Sequence, residues 1–313
     1  MSSRYYTLSA YLRSKFGQRV QKIPLDGPFN CPNRDGTISL DGCAFCNPKG
    51  SGTGLREKGL SLPEQYAHWQ ARFRKKYKAA LFMIYLQSYT NTYGPVTKLQ
   101  KILEELSSLP DCAGLCIGTR PDCLDLEKIK LIAGQEWEET WLDIGLQSRH
   151  DNTLELINRG HTARDFAWAC ELAQRHGLKV CAHVIAGLPG ENLDHFLETI
   201  HFLNQLQVQG VKIHNLYICR ETRIADWFYA GKYEPLTFEE YISWTCEGLL
   251  HLNPSVVIHR LNGDPAPGEL IGPRWASRKQ GIISEIRHRL QTRNVWQGQK
   301  IHPQKIPAWF KRQ

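Results

Sequence analysis

Trp141-Leu-Asp-Ile-Gly-Leu146, then Asp151-Asn152 ahead of 153–158, Thr162 ahead of 163–176, and last Lys179-Val-Cys-Ala-His-Val-Ile-Ala186: this stretch decides the fold. Two short apolar runs enclose residues with helix-start signals and helical spacing, so the unit reads strand, helix, strand. The same unit repeats outward from it. Apolar, β-branched-rich runs recur over 20–25, 81–86, 115–117, 211–218 and 256–260, with helical patterns between them, one of which Glu191 opens. Strands alternating with helices in one unbroken series imply a parallel sheet. Six or seven such units, with no Ser/Gly/Pro-rich linker among them, imply an α/β fold of the partial (β/α)6 barrel type, with its chemistry at the C-terminal ends of the strands.

The chain has 313 residues, 42% hydrophobic and 22% charged, enough to bury a core without disulfide staples. Fibrous and disordered classes are excluded. No apolar run approaches the roughly 18–20 residues that span a bilayer, and Met1-Ser-Ser-Arg-Tyr-Tyr6 lacks the apolar stretch of an export signal. A soluble, cytoplasmic protein with no membrane partner is expected. The formal charge of +8 is localised: Arg274, Arg278, Lys279, Arg287, Arg289, Arg293, Lys300, Lys305, Lys311 and Arg312 face one acid, Glu285, and the preceding chain is nearly neutral. Trp275, Trp296 and Trp309 interleave with these cations, and a second basic run, Arg72, Arg74, Lys75, Lys76 and Lys78, follows His68-Trp69. Rings beside cations suit stacking and phosphate neutralisation on RNA; a solvated helical face with a loose tail is the plainer reading. The expected organisation is a barrel over 1–270 and a basic, Trp-containing C-terminal extension over 271–313.

Of the ten cysteines, Cys170, Cys181, Cys219 and Cys246 lie singly in expected helices or strands and read as small buried hydrophobes. Cys112, Cys116 and Cys123 flank a strand and also read as structural. The other three form one object, Cys31-Pro-Asn-Arg-Asp-Gly-Thr-Ile-Ser-Leu-Asp-Gly-Cys43-Ala-Phe-Cys46, a CxxC with a third cysteine held upstream across a turn-rich loop. Disulfides are not expected in a chain of this size without an export signal. Two metal readings stay open: structural zinc, with Cys112/Cys116 as the nearest second pair, or a four-iron cluster on three cysteines with one iron left open.

Set after the first expected strand, with Phe45 inside the CxxC, this loop resembles that of the radical S-adenosylmethionine (SAM) superfamily. The long first gap is similar to its Elp3-like and coproporphyrinogen-oxidase-like members, and most closely to the YhcC-like family, over nearly the whole chain to about residue 265. The resemblance implies a [4Fe-4S] cluster on Cys31, Cys43 and Cys46, with SAM as cofactor. Asp143-Ile-Gly-Leu-Gln-Ser148 and Asn158-Arg159-Gly160-His161 resemble the segments that imply Gln147 and Arg159 as cofactor contacts. Arg159 also reads from the residues alone as a bidentate partner for a carboxylate. His183-Val-Ile-Ala-Gly187-Leu-Pro-Gly-Glu191 resembles the fifth-strand motif, implying ribose contact by His183 and adenine approach at Gly187; a satisfied core histidine is the alternative. Phe45 is counted with these contacts. Thr119-Arg120-Pro121-Asp122 resembles an Elp3-like segment, with Gly118 where an acid often stands. A Gly-Gly-Glu-like turn of the superfamily is replaced by Ser88, Tyr89 and Thr90, to which the same role toward the methionyl amine falls. The glycines of 47–54 read as a mobile loop over the cluster, because the GxxxxGK[ST] order fails.

The function implied is reductive cleavage of SAM to a 5'-deoxyadenosyl radical, with an electron donor such as flavodoxin or ferredoxin. The implied substrate is the carboxymethylaminomethyl side chain of a tRNA wobble uridine, which would lose its carboxymethyl arm. A radical enzyme on a small molecule or protein, and a non-catalytic zinc-stabilised RNA-binding module, are the alternatives. No catalytic residue is assigned. Tyr217 and Cys219, at the end of the sixth apolar run, are candidates for quenching a substrate radical, with core packing as the plainer role.

Overall fold

Each of the seven apolar runs forms a strand in the computed structural model, which describes residues 3–47, 50, 52–266 and 268–311. In chain order the elements are α1 (Leu8–Phe16), β1 (Val20–Asp26), α2 (Leu62–Tyr77), β2 (Leu81–Gln87), α3 (Val96–Ser107), β3 (Cys112–Thr119), α4 (Leu126–Ala133) and β4 (Glu139–Gln147). There follow α5 (Asp151–Leu156), α6 (Ala163–Arg175), β5 (Lys179–Ala186), α7 (Leu193–Gln205), β6 (Gly210–Asn215), β7 (Ile218–Cys219), α8 (Arg223–Tyr229), α9 (Phe238–His251), β8 (Val257–Arg260), β9 (Leu270–Gly272), α10 (Lys279–Thr292) and α11 (Ala308–Lys311).

The main sheet has the order β1-β2-β3-β4-β5-β6-β8, every pairing parallel, and curls into a half-barrel. Alternation divides each strand. Ile23, Leu25, Ile84, Leu86, Leu142, Ile144, Val180, Ala182, Val211 and Ile213 pack in one core with helix residues such as Leu99, Leu103, Phe166 and Phe196. Burial of that apolar surface, at roughly 25 cal/mol per Å², is the main favourable term for the layer. Helix starts follow side-chain chemistry: Ser61 with Glu64, Thr162 with Asp165 and Thr237 with Glu240 form capping boxes. The helix expected from Glu191 instead takes Asn192 as its cap.

One expected strand is two. The run over 211–218 ends as β6 at Asn215, Leu216 N donates to Ala186 O at 3.0 Å, and β7 pairs antiparallel with β9 in a separate two-stranded sheet. At the other end of the barrel α1 lies across the start of the strands. Leu12 packs with Val20, Met83, Trp141 and Val257, and the buried Glu139 carboxylate accepts from Tyr11 Oη at 2.8 Å and Lys179 Nζ at 2.7 Å, and from Lys15. Thr7 pairs with Ile258 and so covers the free edge of β8.

The basic C-terminal segment is built into the same body. Ile282, Ile286 and Leu290 of α10 are fully buried in the principal core. Gln297, also fully buried, donates to Asn253 O (2.8 Å) and Val256 O (2.9 Å) and accepts from Tyr6 N (2.9 Å). The tryptophans expected to offer stacking faces to RNA are engaged by the chain: Trp275 stacks on Tyr241, Trp309 stacks on Tyr6, and Trp296 packs against Phe310. Among the described residues no helix is long and apolar enough to cross a membrane.

Candidate functional site

β1 ends at Asp26, whose carboxylate accepts from Thr53 N (2.7 Å), Thr53 Oγ1 (2.7 Å) and Leu55 N (3.1 Å). The cysteine loop therefore rises from the C-terminal end of the first strand and returns to it. Loop contacts then fix its shape. Ala44 N donates to Ile157 O at 2.9 Å, Asn158 Nδ2 to Gly42 O at 2.7 Å, and Arg34 Nη2 to Cys46 O at 2.7 Å. Cys31 and Cys43 are buried, Cys46 is half-buried, and all three are free thiols. The segment 47–54 lies partly outside the described residues; Asn47 Nδ2 donates to Glu269 Oε2 at 2.8 Å, joining the loop to the start of β9.

Arg159 links the loop to the barrel. Its Nη1 donates to Cys43 Sγ (3.4 Å) and its Nη2 to Gly145 O (3.1 Å), while Nε is enclosed without a partner. Gly145 is required here, because a Cβ would lie 2.5 Å from Arg159 Nη2 and 2.8 Å from Gln147 Nε2. Gln147 ends β4 at φ 75°, in the left-handed region, beside a register shift against β5. Among the described residues its amide has no intramolecular hydrogen bond. Burial pushes the Cys43 thiol up, but Arg159, then Arg120 and a 3.5 Å bond from Asn33 Nδ2, outweigh it and hold the thiol below its ordinary pKa. Cys46 is pushed up by burial and by Cys43, against the opposing Arg34.

These residues fit a [4Fe-4S] cluster. Three free thiols lie close enough to one another and to Arg34, Arg120 and Arg159 for the charges of each to bear on the others, and the orphaned Arg159 Nε supplies a buried donor for a cofactor carboxylate. They do not fit zinc. One ion at about 2.3 Å from each thiolate would draw the sulfurs to within roughly 4 Å of one another, yet among the described residues the one group whose ligand atoms all lie within 4.8 Å is Asp143, Cys181 and His183. Cys116, half of the second pair zinc would need, instead packs on Met83 Sδ inside the barrel.

The turn after β2 carries two consecutive left-handed residues, Ser88 (φ 61°) and Tyr89 (φ 54°), a conformation that favours glycine. Asn91 holds them, its Nδ2 donating to Ser88 O (3.1 Å) and Gly118 O (2.9 Å), and Thr90 N donates to Asn30 O (3.2 Å) beside Cys31. Tyr89 leans over Gly50 and Arg34. Phe45 packs on the apolar cluster of Leu154, Ile185, Leu216 and Ile224 at the mouth. His183 lies deeper, 3.8 Å from Asp143 Oδ2. At Gly187, φ is 85° and Leu236 fills the space a Cβ would take, which accounts locally for the glycine.

Asn33, Arg34, Arg120 and His161 surround the thiols without having been expected to. Arg120 is 2% exposed and bidentate to Asp122, with Nη1 unpartnered. Burial, then Arg159 and Arg120, push His161 down to about 2, so it is neutral. Asn158-Arg159-Gly160-His161 carried the signal for His161, since its polar residues follow directly on the apolar Leu154 and Ile157, and Thr119-Arg120-Pro121-Asp122 carried the one for Arg120. Tyr217 and Cys219 lie close enough to Cys46 for its charge to bear on both; burial, then Glu269 and Cys46, push the Cys219 thiol up to about 12.

Residues 31–203 match the Radical SAM superfamily and residues 208–292 the Radical_SAM C-terminal domain. The chain is 37% identical over 296 residues to YtqA of Bacillus subtilis (strain 168), covering 94% of this chain and 92% of that protein. It is 36% identical over 286 residues to YhcC of Escherichia coli (strain K12), covering 91% of each. A tRNA uridine(34) acetyltransferase of Dehalococcoides mccartyi (strain CBDB1) is 29% identical over 191 residues, 58% of this chain and 39% of that one. Among solved structures, Methanocaldococcus infernus Elp3 superposes with a TM-score of 0.67 at 17% identity, over 89% of this chain and 64% of that one, a likeness of fold.

Proposed function

The chain belongs to the radical SAM superfamily, alongside YhcC and YtqA, and from that premise we propose that it modifies a tRNA wobble uridine, removing the carboxymethyl arm of carboxymethylaminomethyl-uridine. It is an enzyme that uses a [4Fe-4S] cluster and SAM. When bound, these would supply one electron and a 5'-deoxyadenosyl radical able to abstract hydrogen from the methylene of the arm; SAM, ending as methionine and 5'-deoxyadenosine, would serve as the net two-electron oxidant, and water would take the arm off its nitrogen as glyoxylate, leaving the amine. The residues of this chain orient and enclose. Cys31, Cys43 and Cys46 would hold the cluster, and Arg159 and Gln147 would take polar groups of the cofactor. Ser88, Tyr89 and Thr90 offer carbonyls and hydroxyls to its amine, and Phe45, His183 and Gly187 line the adenosyl side. The carboxylate-binding role of Arg159 rests on its unpartnered Nε.

The observation that carries the substrate assignment is the similarity to the tRNA uridine(34) acetyltransferase. In this reading the protein works in the cytoplasm with tRNA and with a flavodoxin- or ferredoxin-like donor. We take residues 271–313 as a basic extension packed on a 1–270 core; Lys305 is exposed, and Arg293 and Lys300 are exposed but paired with Glu247. The test is the nucleoside profile of tRNA from a strain lacking this protein. The arm-bearing uridine should accumulate and the aminomethyl form should fall, whereas an unchanged profile rejects the assignment.

A further inference from the structure

The inside of the half-barrel, below the mouth, is cationic. Asp143 of β4 receives Lys212 Nζ of β6 at 2.6 Å and lies 3.8 Å from Lys22 Nζ of β1. One carboxylate thus faces two ammoniums. Burial opposes ionisation of Asp143, but Lys212 and Lys22 hold its carboxyl well below the usual range, and both lysines stay protonated. A third cation, Arg260 at the end of β8, is half-buried and has neither a hydrogen-bond acceptor nor an acid partner among the described residues. Its charge bears on His183 and His214, which burial, foremost, holds neutral. The Nε2 of His214 is enclosed and unpartnered, whereas that of His183 makes no hydrogen bond but lies 3.8 Å from Asp143 Oδ2. Lys22 and His183 nonetheless keep 18% and 19% of their side-chain surface accessible, so the barrel is hollow at this level.

Tyr85 offers its ring to both lysines, 4.0 Å from Lys212 Nζ and 5.2 Å from Lys22 Nζ, but three cations against one carboxylate in this partly solvated cavity leave an excess of positive charge that no acid among the described residues neutralises. We propose that this excess is the receptor for a substrate carboxylate, bound bidentately by Arg260 with His183, His214 and Lys212 beside it. The proposal rests on the tRNA reading for its ligand, the carboxylate that ends the carboxymethyl arm. In the sheet register Arg260 pairs with Lys212, Lys212 with His183 and His183 with Gly145, so Gln147 stands two residues above the Arg260 level, roughly 7 Å higher. A carboxylate seated at the Arg260 level therefore leaves the adjacent methylene between the anion site and the cofactor face. Arg260 is then a specificity residue that selects the arm-bearing uridine over the aminomethyl product, which has lost the anion.

The test uses unreduced holoenzyme saturated with SAM, so that the cofactor's own carboxylate is already placed. N-Benzylglycine carries a ring, a methylene amine and a carboxylate; benzylamine lacks the carboxylate. By calorimetry the wild type should bind N-benzylglycine at least tenfold more tightly than benzylamine. Arg260→Gln should remove that preference without weakening SAM, Arg260→Lys should restore part of it, and Arg260→Gln should melt no lower than wild type, since it relieves unpaired charge. Equal or absent binding of the two compounds by wild type, or an undiminished preference in Arg260→Gln, overturns the proposal. Competition by inorganic phosphate but not by N-benzylglycine would reassign the anion to phosphate and overturn the carboxylate. Anticodon stem-loops with and without the carboxymethyl arm separate the two readings. A retained N-benzylglycine preference with no stem-loop binding sinks the tRNA assignment and keeps the site; stem-loop binding indifferent to the arm does the reverse.

Discussion

Replacing Gly145 by alanine should uncouple cofactor binding from folding. The new Cβ would lie 2.5 Å from Arg159 Nη2 and 2.8 Å from Gln147 Nε2, too close for either to stay. Both atoms are ends of flexible side chains, so the fold should accommodate the methyl by moving them, and the melting temperature should fall by only a few degrees. Arg159 then loses its bond to Gly145 O and its aim at Cys43 Sγ. A hydrogen bond to a charged group contributes about 1.5–3 kcal/mol, which converts to a loss of SAM affinity of roughly ten- to 150-fold. The assay is equilibrium dialysis of SAM against anaerobically reconstituted protein, with iron and sulfide content as the control for an intact cluster. Wild-type affinity in a folded, iron-replete Gly145→Ala protein would refute the placement of Arg159 and Gln147 against the cofactor.

Cys31→Ala, Cys43→Ala and Cys46→Ala should each yield colourless protein after reconstitution, whereas Cys170→Ala, a change in the apolar core, should stay brown with about four iron per chain; a full cluster in Cys31→Ala would contradict the ligand set. Truncation at residue 278 removes the buried Ile282, Ile286 and Leu290. At about 2–5 kcal/mol for each such side chain lost, this is comparable to a typical total stability of about 5–15 kcal/mol, so insoluble protein is expected, and a soluble truncation with native circular dichroism would show that α10 is peripheral. His161 takes up its proton only near pH 2 when folded but near 6.5 when unfolded. Below pH 6.5 the unfolded state therefore binds the extra proton, and stability should fall with acidification by about 1.4 kcal/mol per pH unit from this group alone. Denaturant titrations of His161→Gln should show a slope shallower by nearly one proton near pH 5 and by about a quarter of a proton near pH 7, and an unaltered slope would place His161 in contact with water.

The strands were legible because each is an apolar run bounded by polar residues, and the cysteine loop was legible because its spacing is local. The split at Asn215 was not. Leu216 to Cys219 continue the apolar run, and Leu216 N still bonds Ala186 O of β5; what separates the two strands is a change of partner, since Ile218 and Cys219 pair antiparallel with β9. The tail misleads in the opposite way, since composition reports that tryptophans sit among cations but not that Trp275 and Trp309 stack on Tyr241 and Tyr6. The interior cations left only a faint trace. Lys22, Asp143 and Lys212 each interrupt an apolar strand, a costly choice that signals partnership, but Lys212 and Asp143 are 69 residues apart and nothing local pairs them. Arg120 reaches the thiols from the end of β3 and Asn33 from within the cysteine loop itself, and neither had a periodicity to betray it.

The helix laid across the foot of the strands makes the barrel a vessel with its opening at the other end. Arrivals and departures then share one doorway, and whatever sits deepest must enter first and leave last. If the carboxylate end of the arm goes to the bottom, the cofactor closes above it like a stopper, and spent cofactor must clear out before the product can follow. Glu139, held by Tyr11, Lys15 and Lys179, would on this view govern the order of turnover from the far end of the chamber, by keeping the back door shut.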